Sequence, residues 1–361
     1  MTDRLQRLRG ALAEREIDAA LISNARNRRY LSGFTGSAGY LLITASDAVI
    51  ATDFRYYEQS AAQAPAFRLY KVVGRIDAWM PGLLAGLGGK KLGFESADMT
   101  VATHDQLKKA VADLAETERP QLVPMSDLVE SLRIIKEPTE IEALQRAVDL
   151  GDAAFIDVAQ RIEPGWTEKQ VASEIEKCIR EHGGDGLSFD TIVAGGPWGA
   201  MPHAYPRDRK LEAGEGVVID MGCEVGGYMS DLTRTIFLGR PDEAFRKIYD
   251  IVLTAQLTAE EMVRPGMAGE QAHMVAHKVI EAAGYGDTFG HGLGHGIGLE
   301  VHEAPRLGRT STDELKDDMV FTIEPGIYVT GWGGVRIEDM VVLENGRARV
   351  MSRAPKLQFV G

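Results

Sequence analysis

Two stretches of this chain repeat one another, and the repeat limits the folds open to the rest. Pro164-Gly165, Gln170, Lys177, Ile179 and Gly183 recur as Pro265-Gly266, Gln271, Lys278, Ile280 and Gly284 at one constant offset. After each copy comes a histidine, in Pro202-His203 and in Val301-His302, and then an apolar strand that ends in an acid. The first strand reads Val-Val-Ile-Asp-Met-Gly and carries Asp220; the second reads Val-Phe-Thr-Ile-Glu-Pro-Gly and carries Glu324. A Gly-rich turn and a second acid-bearing strand follow, with Asp231 in the first half and Glu338 in the second. A duplicated supersecondary unit of this kind suggests two halves packed about a pseudo-twofold axis, with the four carboxylates converging.

The stretch Val217 to Ile236 reads as a hairpin, with Gly226 and Gly227 supplying the turn. If the turn centres on Val225 and Gly226, Asp220 lies directly opposite Asp231; centred one residue later, they become diagonal neighbours on one face. Either register brings the two carboxylates within roughly 5 to 8 Å. Carboxylates held that close repel, so one must be protonated or a cation must sit between them. Four of them together call for more, and two divalent cations would neutralise the set.

Between the two hairpins the chain reads Phe-Gly-His-Gly-Leu-Gly-His-Gly-Ile-Gly-Leu-Glu-Val-His, from Phe289 to His302. Its glycines disfavour a helix. As extended chain it puts His291, Leu293, His295, Ile297 and Leu299 on one face and leaves the glycines for close backbone approach. Four carboxylates and an imidazole make a hard, oxygen-rich site suited to Mn²⁺, with Co²⁺ or Zn²⁺ as alternatives. Two such ions about 3.5 Å apart favour hydrolysis by a shared hydroxide. The remaining histidines could then steady an oxyanion.

Composition narrows the setting. A formal charge of -13 over 361 residues, with no strong basic patch, argues against nucleic-acid or anionic-membrane partners. The start lacks the apolar core of a signal peptide and no apolar run is long enough to span a bilayer, so a cytoplasmic protein is the expectation. Cys178 and Cys223 have no partners at metal-ligand spacing and read as buried small hydrophobes, with a supporting role beside Asp220 open to Cys223. The first 130 residues alternate helical and strand patterns, including helices over Arg55–Ala62, Ala78–Leu87 and Thr103–Leu114, and so predict an α/β layer domain. Gly33 to Gly39 forms a glycine-rich loop that matches no phosphate-binding spacing. A boundary near Pro124 to Lys136 leads into a helix opened by Glu137-Pro138-Thr139-Glu140.

Asp220, Asp231, His295, Glu324 and Glu338, with His-Gly-Leu-Gly-His-Gly-Ile-Gly-Leu-Glu-Val-His-Glu and Thr-Ile-Glu-Pro-Gly-Ile-Tyr, resemble the pita-bread metallopeptidases. Within that group the chain is similar to the Xaa-Pro aminopeptidase (aminopeptidase P) and Xaa-Pro dipeptidase (prolidase) branch. The resemblance covers nearly the whole chain and implies an α+β fold: an α/β creatinase-like domain over 1–130, then a pita-bread catalytic domain with an internal pseudo-twofold repeat over 131–361. It implies that Asp231, His295 and Glu324 hold one metal, that Asp220 joins them to the other, and that Asp231 and Glu338 are shared. The bridging water would be the nucleophile and Glu324 would take its proton. His203, His291 and His302 match substrate and transition-state histidines, and Arg336 a supporting arginine. A homodimer acting on peptides with proline at the second position is also implied. The five filled ligand positions argue against a metal-free binding module. The compact length and the Phe-Thr-Gly-Ser-Ala-Gly loop look most similar to small bacterial aminopeptidases P and favour that activity over the alternative, a prolidase. A prolidase would need a cation for the dipeptide carboxylate, for which Arg26, Arg28, Arg29, Arg55 and Arg207 are candidates.

Overall fold

Ala-Ala-Leu-Ile, residues 19–22, offers water nothing polar, and all four side chains are buried in the middle of a sheet. The computed structural model describes residues 2–356 and 359–360 and divides into two compact units, one up to Arg133 and one from Ile134. In the first, six strands form one mixed sheet in the order Arg68–Lys71, Ala48–Thr52, Tyr40–Thr44, Ala19–Ile22, Lys91–Glu95, Gln121–Met125. Trp79, Met80, Leu83, Leu107 and Val111 from two helices pack with Leu21, Leu42, Val49, Leu92 and Phe94 of the sheet. The helix expected over Ala78–Leu87 runs instead from Ile76 to Leu83, because the chain turns at Gly86 with φ of 84°. The strand Gln121–Met125 carries Pro124, which its place at the sheet edge tolerates.

The second unit contains the repeat. Helices Pro138–Ala159 and Glu168–Glu181 are followed by strands Ile192–Gly195, Gly216–Met221 and Leu232–Leu238. Helices Glu243–Met262 and Gly269–Ala282 are followed by Gly294–Gly296, Val320–Ile323 and Asp339–Glu344. In each half the three strands lie side by side in that order. Equivalent helix starts are made in equivalent ways. Gln170 Oε1 accepts from the Thr167 N–H at 2.7 Å, and Gln271 Oε1 from the Ala268 N–H at 2.8 Å. Gly165 N–H donates to Leu211 O at 2.8 Å, and Gly266 N–H to Leu315 O at 2.7 Å. Each half also closes its own core, one around Phe155, Val171, Ile175 and Ile219, the other around Ile248, Val252, Ala276 and Phe321. Among the described residues no helix is long and apolar enough to cross a membrane.

The halves are tied where their second acid-bearing strands meet. Glu338 N–H donates to Thr233 O at 3.0 Å, and Thr235 Oγ1 donates to Arg336 O at 3.0 Å. Beneath this junction lies the fully buried Arg234, which donates to Asp339 Oδ1 at 2.6 Å and to Ala354 O at 2.8 Å. Lys356 Nζ and Gln256 Nε2 reach Asp339 Oδ2 at 2.7 and 2.8 Å. Burial opposes the charge on Asp339, yet Arg234 and Lys356 hold its carboxyl below the ordinary range. Replacing Asp339 with alanine strands a buried guanidinium, so the folded state of the second unit should be destabilised by roughly 3–5 kcal/mol. Urea unfolding followed with one probe in each unit checks this, and only the second unit's transition should move.

Candidate active site

The Gly226–Gly227 turn sets the geometry of the first pair of acids. Both glycines have positive φ, 57° and 79°, the combination a type I′ turn requires. Val225 pairs with Tyr228 and, further along, Asp220 pairs with Thr233 and Met221 with Leu232. Asp220 and Asp231 are therefore diagonal neighbours, the second of the two registers open to the sequence. In the other half Glu324 follows the strand Val320–Ile323, and its N–H donates to Leu293 O at 2.8 Å.

Asp231, His295 and Glu338 each bring a ligand atom within 4.8 Å of the others. His295 Nε2 lies 3.6 Å from Asp231 Oδ2 and 3.5 Å from Glu324 Oε1. His295 Nδ1 faces Gly296 O at 3.1 Å. A carbonyl only accepts, so Nδ1 carries the proton and Nε2 turns its lone pair toward the acids. His295 lies in a short strand, Gly294–Gly296, next to a bulge. A Cβ on either glycine would fall within about 2 Å of a backbone oxygen, 1.9 Å for Gly294 and 2.0 Å for Gly296, so the histidine is flanked by residues that must be glycine.

Arg336 braces the other side. Its Nη2 donates to Asp220 Oδ2, its Nε to Thr233 Oγ1 at 3.0 Å and its Nη1 to Tyr328 Oη at 3.0 Å. Thr233 Oγ1 donates in turn to Glu338 Oε2 at 2.6 Å. One guanidinium does not balance four acids. Among the described residues Asp220 Oδ1 and Glu338 Oε1 are buried without a hydrogen-bond partner. Burial, and then the neighbouring acids, push Asp231 and Glu338 well above the ordinary carboxylate range. Burial, with Asp220 beside it, pushes Glu324 up to about 8 against the pull of Arg336. Burial and the adjacent His302 push His295 down to about 4. Orphaned carboxylate oxygens beside a neutral imidazole are the donor set a divalent cation takes, and the residues present fit one.

His203, Asp220, Asp231, His291, His295, His302, Glu324, Arg336 and Glu338 all line one cavity of about 650 Å³. His291 Nδ1 donates to Gly292 O at 2.7 Å, so its Nε2 accepts from Tyr328 Oη at 2.9 Å. An Arg336–Tyr328–His291 relay thus fixes that imidazole, which burial holds neutral with its pKa down to about 4. The ring of His302 stands 4.2 Å from that of His295 on the exposed side of the cavity. Cys178 and Cys223 are both buried and free, and burial pushes the Cys223 thiol up to about 12. Of the arginines weighed from the sequence, Arg207 is forked onto Glu168 at 2.7 and 2.9 Å, and the others belong to the first unit.

Three lining or bracing residues were not read from the sequence. Thr233 and Tyr328 act through hydrogen bonds that depend on the register of distant strands. Arg306 lines the cavity from the strand Glu303–Leu307, paired across from His295. Its guanidinium has no hydrogen-bond or ion-pair partner among the described residues. Only the strand pairing around His295 could have pointed to it.

A duplicated hairpin unit that converges acids and imidazoles on one cavity defines the class of metal-dependent hydrolases. Residues 142–345 match metallopeptidase family M24 and residues 4–135 match the creatinase/prolidase N-terminal domain. The chain belongs to metallopeptidase family M24, with the pita-bread fold its sequence resembled. The structure of an Xaa-Pro dipeptidase from Bacillus anthracis is 40% identical with a TM-score of 0.95, and 99% of each chain is covered. An Xaa-Pro dipeptidase from Pyrococcus horikoshii is 36% identical over 97% of both chains. The structure of an X-Pro aminopeptidase from Thermotoga maritima is 34% identical with a TM-score of 0.90, covering 99% of this chain and 100% of that one.

Because acids with raised pKa must lose protons before they ligate, metal affinity should strengthen with pH. Glu324, pushed up to about 8, holds its proton at neutral pH in the metal-free protein, and burial raises Asp231 and Glu338 in the same direction. The apparent Kd for Mn²⁺ is expected to rise by at least about tenfold for each pH unit lowered from 8 to 6. Calorimetry on chelator-stripped protein measures this, and an affinity independent of pH would contradict it.

Proposed function

We propose that this chain is an Xaa-Pro dipeptidase working with two divalent cations, Mn²⁺ foremost, held by Asp220, Asp231, His295, Glu324 and Glu338. Arg306 is the observation that carries the choice. A dipeptide ends one residue after the bond it loses, so its carboxylate must be received inside the catalytic cavity. Arg306 offers that cavity a guanidinium with no other partner among the described residues. Similarity to the two dipeptidases supports the same reading, which reverses the preference for an aminopeptidase drawn from loop resemblance alone. Likeness to the Thermotoga maritima enzyme keeps that activity as the second reading.

When bound, the cations supply an acidified water and polarise the scissile carbonyl. The chain's own residues do the rest. Glu324 takes the proton of the attacking water; its only side-chain hydrogen bond among the described residues is from Thr322 Oγ1 at 3.4 Å, which leaves the carboxylate available. Arg336 and Tyr328 keep Asp220 and His291 in place. His302 donates to the oxygen of the attacked carbonyl, and His203 faces the substrate from the segment before Tyr205. Phe189, Ile192, Val301 and Leu307 give the cavity apolar wall for a proline ring, and the Xaa-Pro amide has no N–H that would need an acceptor.

Hydrolysis of Ala-Pro beside Ala-Pro-Ala, after chelation and separate return of Mn²⁺, Co²⁺ and Zn²⁺, tests the assignment. The dipeptide should be cleaved and the tripeptide largely spared; the opposite preference would give an aminopeptidase, and inactivity on both would remove the peptidase reading. Arg306→Ala should raise KM for Ala-Pro by about 10- to 100-fold, the loss of one hydrogen bond to a charged group. Glu324→Gln should lower kcat by about 10²- to 10⁴-fold with the circular dichroism spectrum unchanged, and near-normal turnover would displace Glu324 as the base.

A further inference from the structure

The first unit encloses a second cavity, of about 250 Å³. It opens between Ser23 at the end of the central strand, the helix Ala25–Ser32, the loop leading to Tyr40 and the start of the helix Val101–Ala112. At its floor is Arg28, only 4% exposed. The Nη1 of Arg28 donates to Ser23 O and Nη2 to Gly36 O at 3.2 Å, while Nε is buried without an acceptor among the described residues. These partners are carbonyl dipoles, and no carboxylate among the described residues lies within ion-pair distance of the guanidinium.

The nearest acids are committed elsewhere. Glu95 accepts from the N–H groups of Ser23 and Asn24 at 2.5 and 2.7 Å and from Asn27 Nδ2 at 2.6 Å. Asp98 accepts from Ser23 Oγ at 2.6 Å and Asn24 Nδ2 at 3.3 Å. A buried guanidinium cannot shed its proton and is costly without a counter-charge. The cavity in front of it is where a counter-charge can come from.

Charge within the cavity is polarised. The cation is at the floor, the Asp98 carboxylate is exposed at the rim, and the hydroxyls of Ser37, Tyr40 and Thr103 lie on the walls between. Tyr40 is steadied against Trp79, ring centroids 5.7 Å apart. The loop is a firm wall, because Phe34 packs into the space where Gly36 would carry a Cβ, 2.1 Å from the ring. A simple anion entering here would meet Asp98, and a simple cation would meet Arg28. A small zwitterion satisfies both ends.

We propose that this cavity binds a free α-amino acid of small side chain, with its carboxylate toward Arg28 and its ammonium group toward Asp98. The site belongs to the first unit alone and does not depend on which peptides the second unit cleaves.

Hydrogen exchange on the full, metal-stripped chain tests it, with glycine, L-alanine, acetate and methylamine as probes. Glycine and L-alanine should protect amides in 23–40 and 98–103 saturably, acetate less well, and methylamine not at all. Asp98→Asn, at an exposed position, should weaken the amino acids about two- to fivefold and abolish their advantage over acetate. Arg28→Met should weaken every carboxylate ligand about 10- to 100-fold. Because Arg28 also ties two loop carbonyls, Thr103→Trp, which narrows the mouth from the helix, should reproduce that loss with Arg28 intact. Absence of saturable protection, protection confined to the second unit, acetate binding as well as alanine, or protection unchanged in both Asp98→Asn and Thr103→Trp would each overturn the proposal.

Discussion

Repulsion among four buried carboxylates is the constraint that the second unit is built to contain. Asp220, Asp231, Glu324 and Glu338 face one cavity, and two of their oxygens have no hydrogen-bond partner among the described residues. The backbone cannot relax away from this, because each acid sits in or beside a strand whose register is set by a paired neighbour. Arg336 neutralises one edge of the cluster through Asp220. Arg234, one residue beyond Thr233, works from beneath by locking the strands that carry Asp231 and Glu338. Removing any one of the four carboxylates would lower the local repulsion, but it would also remove oxygens that a cation needs. The fold therefore keeps an internally unfavourable cluster, offsets it with a buried ionic strap and two cores, and leaves it fitted to a divalent cation.

The duplication explains how one small unit produces an asymmetric site. Both halves use the same helix entry, the same return of the chain to Leu211 or Leu315 and the same strand pairing. They differ in what they carry. The first contributes two aspartates, the second two glutamates and the imidazole of His295. Even the helix cap has diverged, since Thr167 Oγ1 accepts from the Gln170 N–H at 3.1 Å and Ala268 has no oxygen to do so. A twofold scaffold thus presents two unequal sets of donors, one richer in nitrogen and reach than the other.

Much of this was legible in the chain itself. The acids, His203 and His302 could be read because each falls at a fixed point of a repeat, and His291 and His295 because they stand in a glycine-spaced stretch between the two hairpins. The hairpin register was open to two answers, and the positive φ of Gly226 and Gly227 decides between them. Thr233, Tyr328 and Arg306 were not legible. Their roles come from which strand lies across from which, and nothing local distinguishes Arg306 from Arg207, although Glu168 claims the second and not the first. Short strands such as Arg68–Lys71, with an exposed, intermediate, intermediate, exposed burial pattern, also leave no alternation to detect. The proposed change of preference between two peptidase activities has a related cause. Loop resemblance reports shared ancestry, whereas the proposed dipeptidase reading turns on Arg306, whose place in the cavity follows from strand pairing.

The two orphaned oxygens, Asp220 Oδ1 and Glu338 Oε1, have a consequence outside catalysis. A cation that meets them binds only the folded chain, because the unfolded chain scatters its ligands across the sequence from Asp220 to Glu338. Each hundredfold excess of metal over its dissociation constant then adds about 2.7 kcal/mol to the folded state. A cation held by these residues would thereby couple the folded fraction of this protein to the metal supply around it.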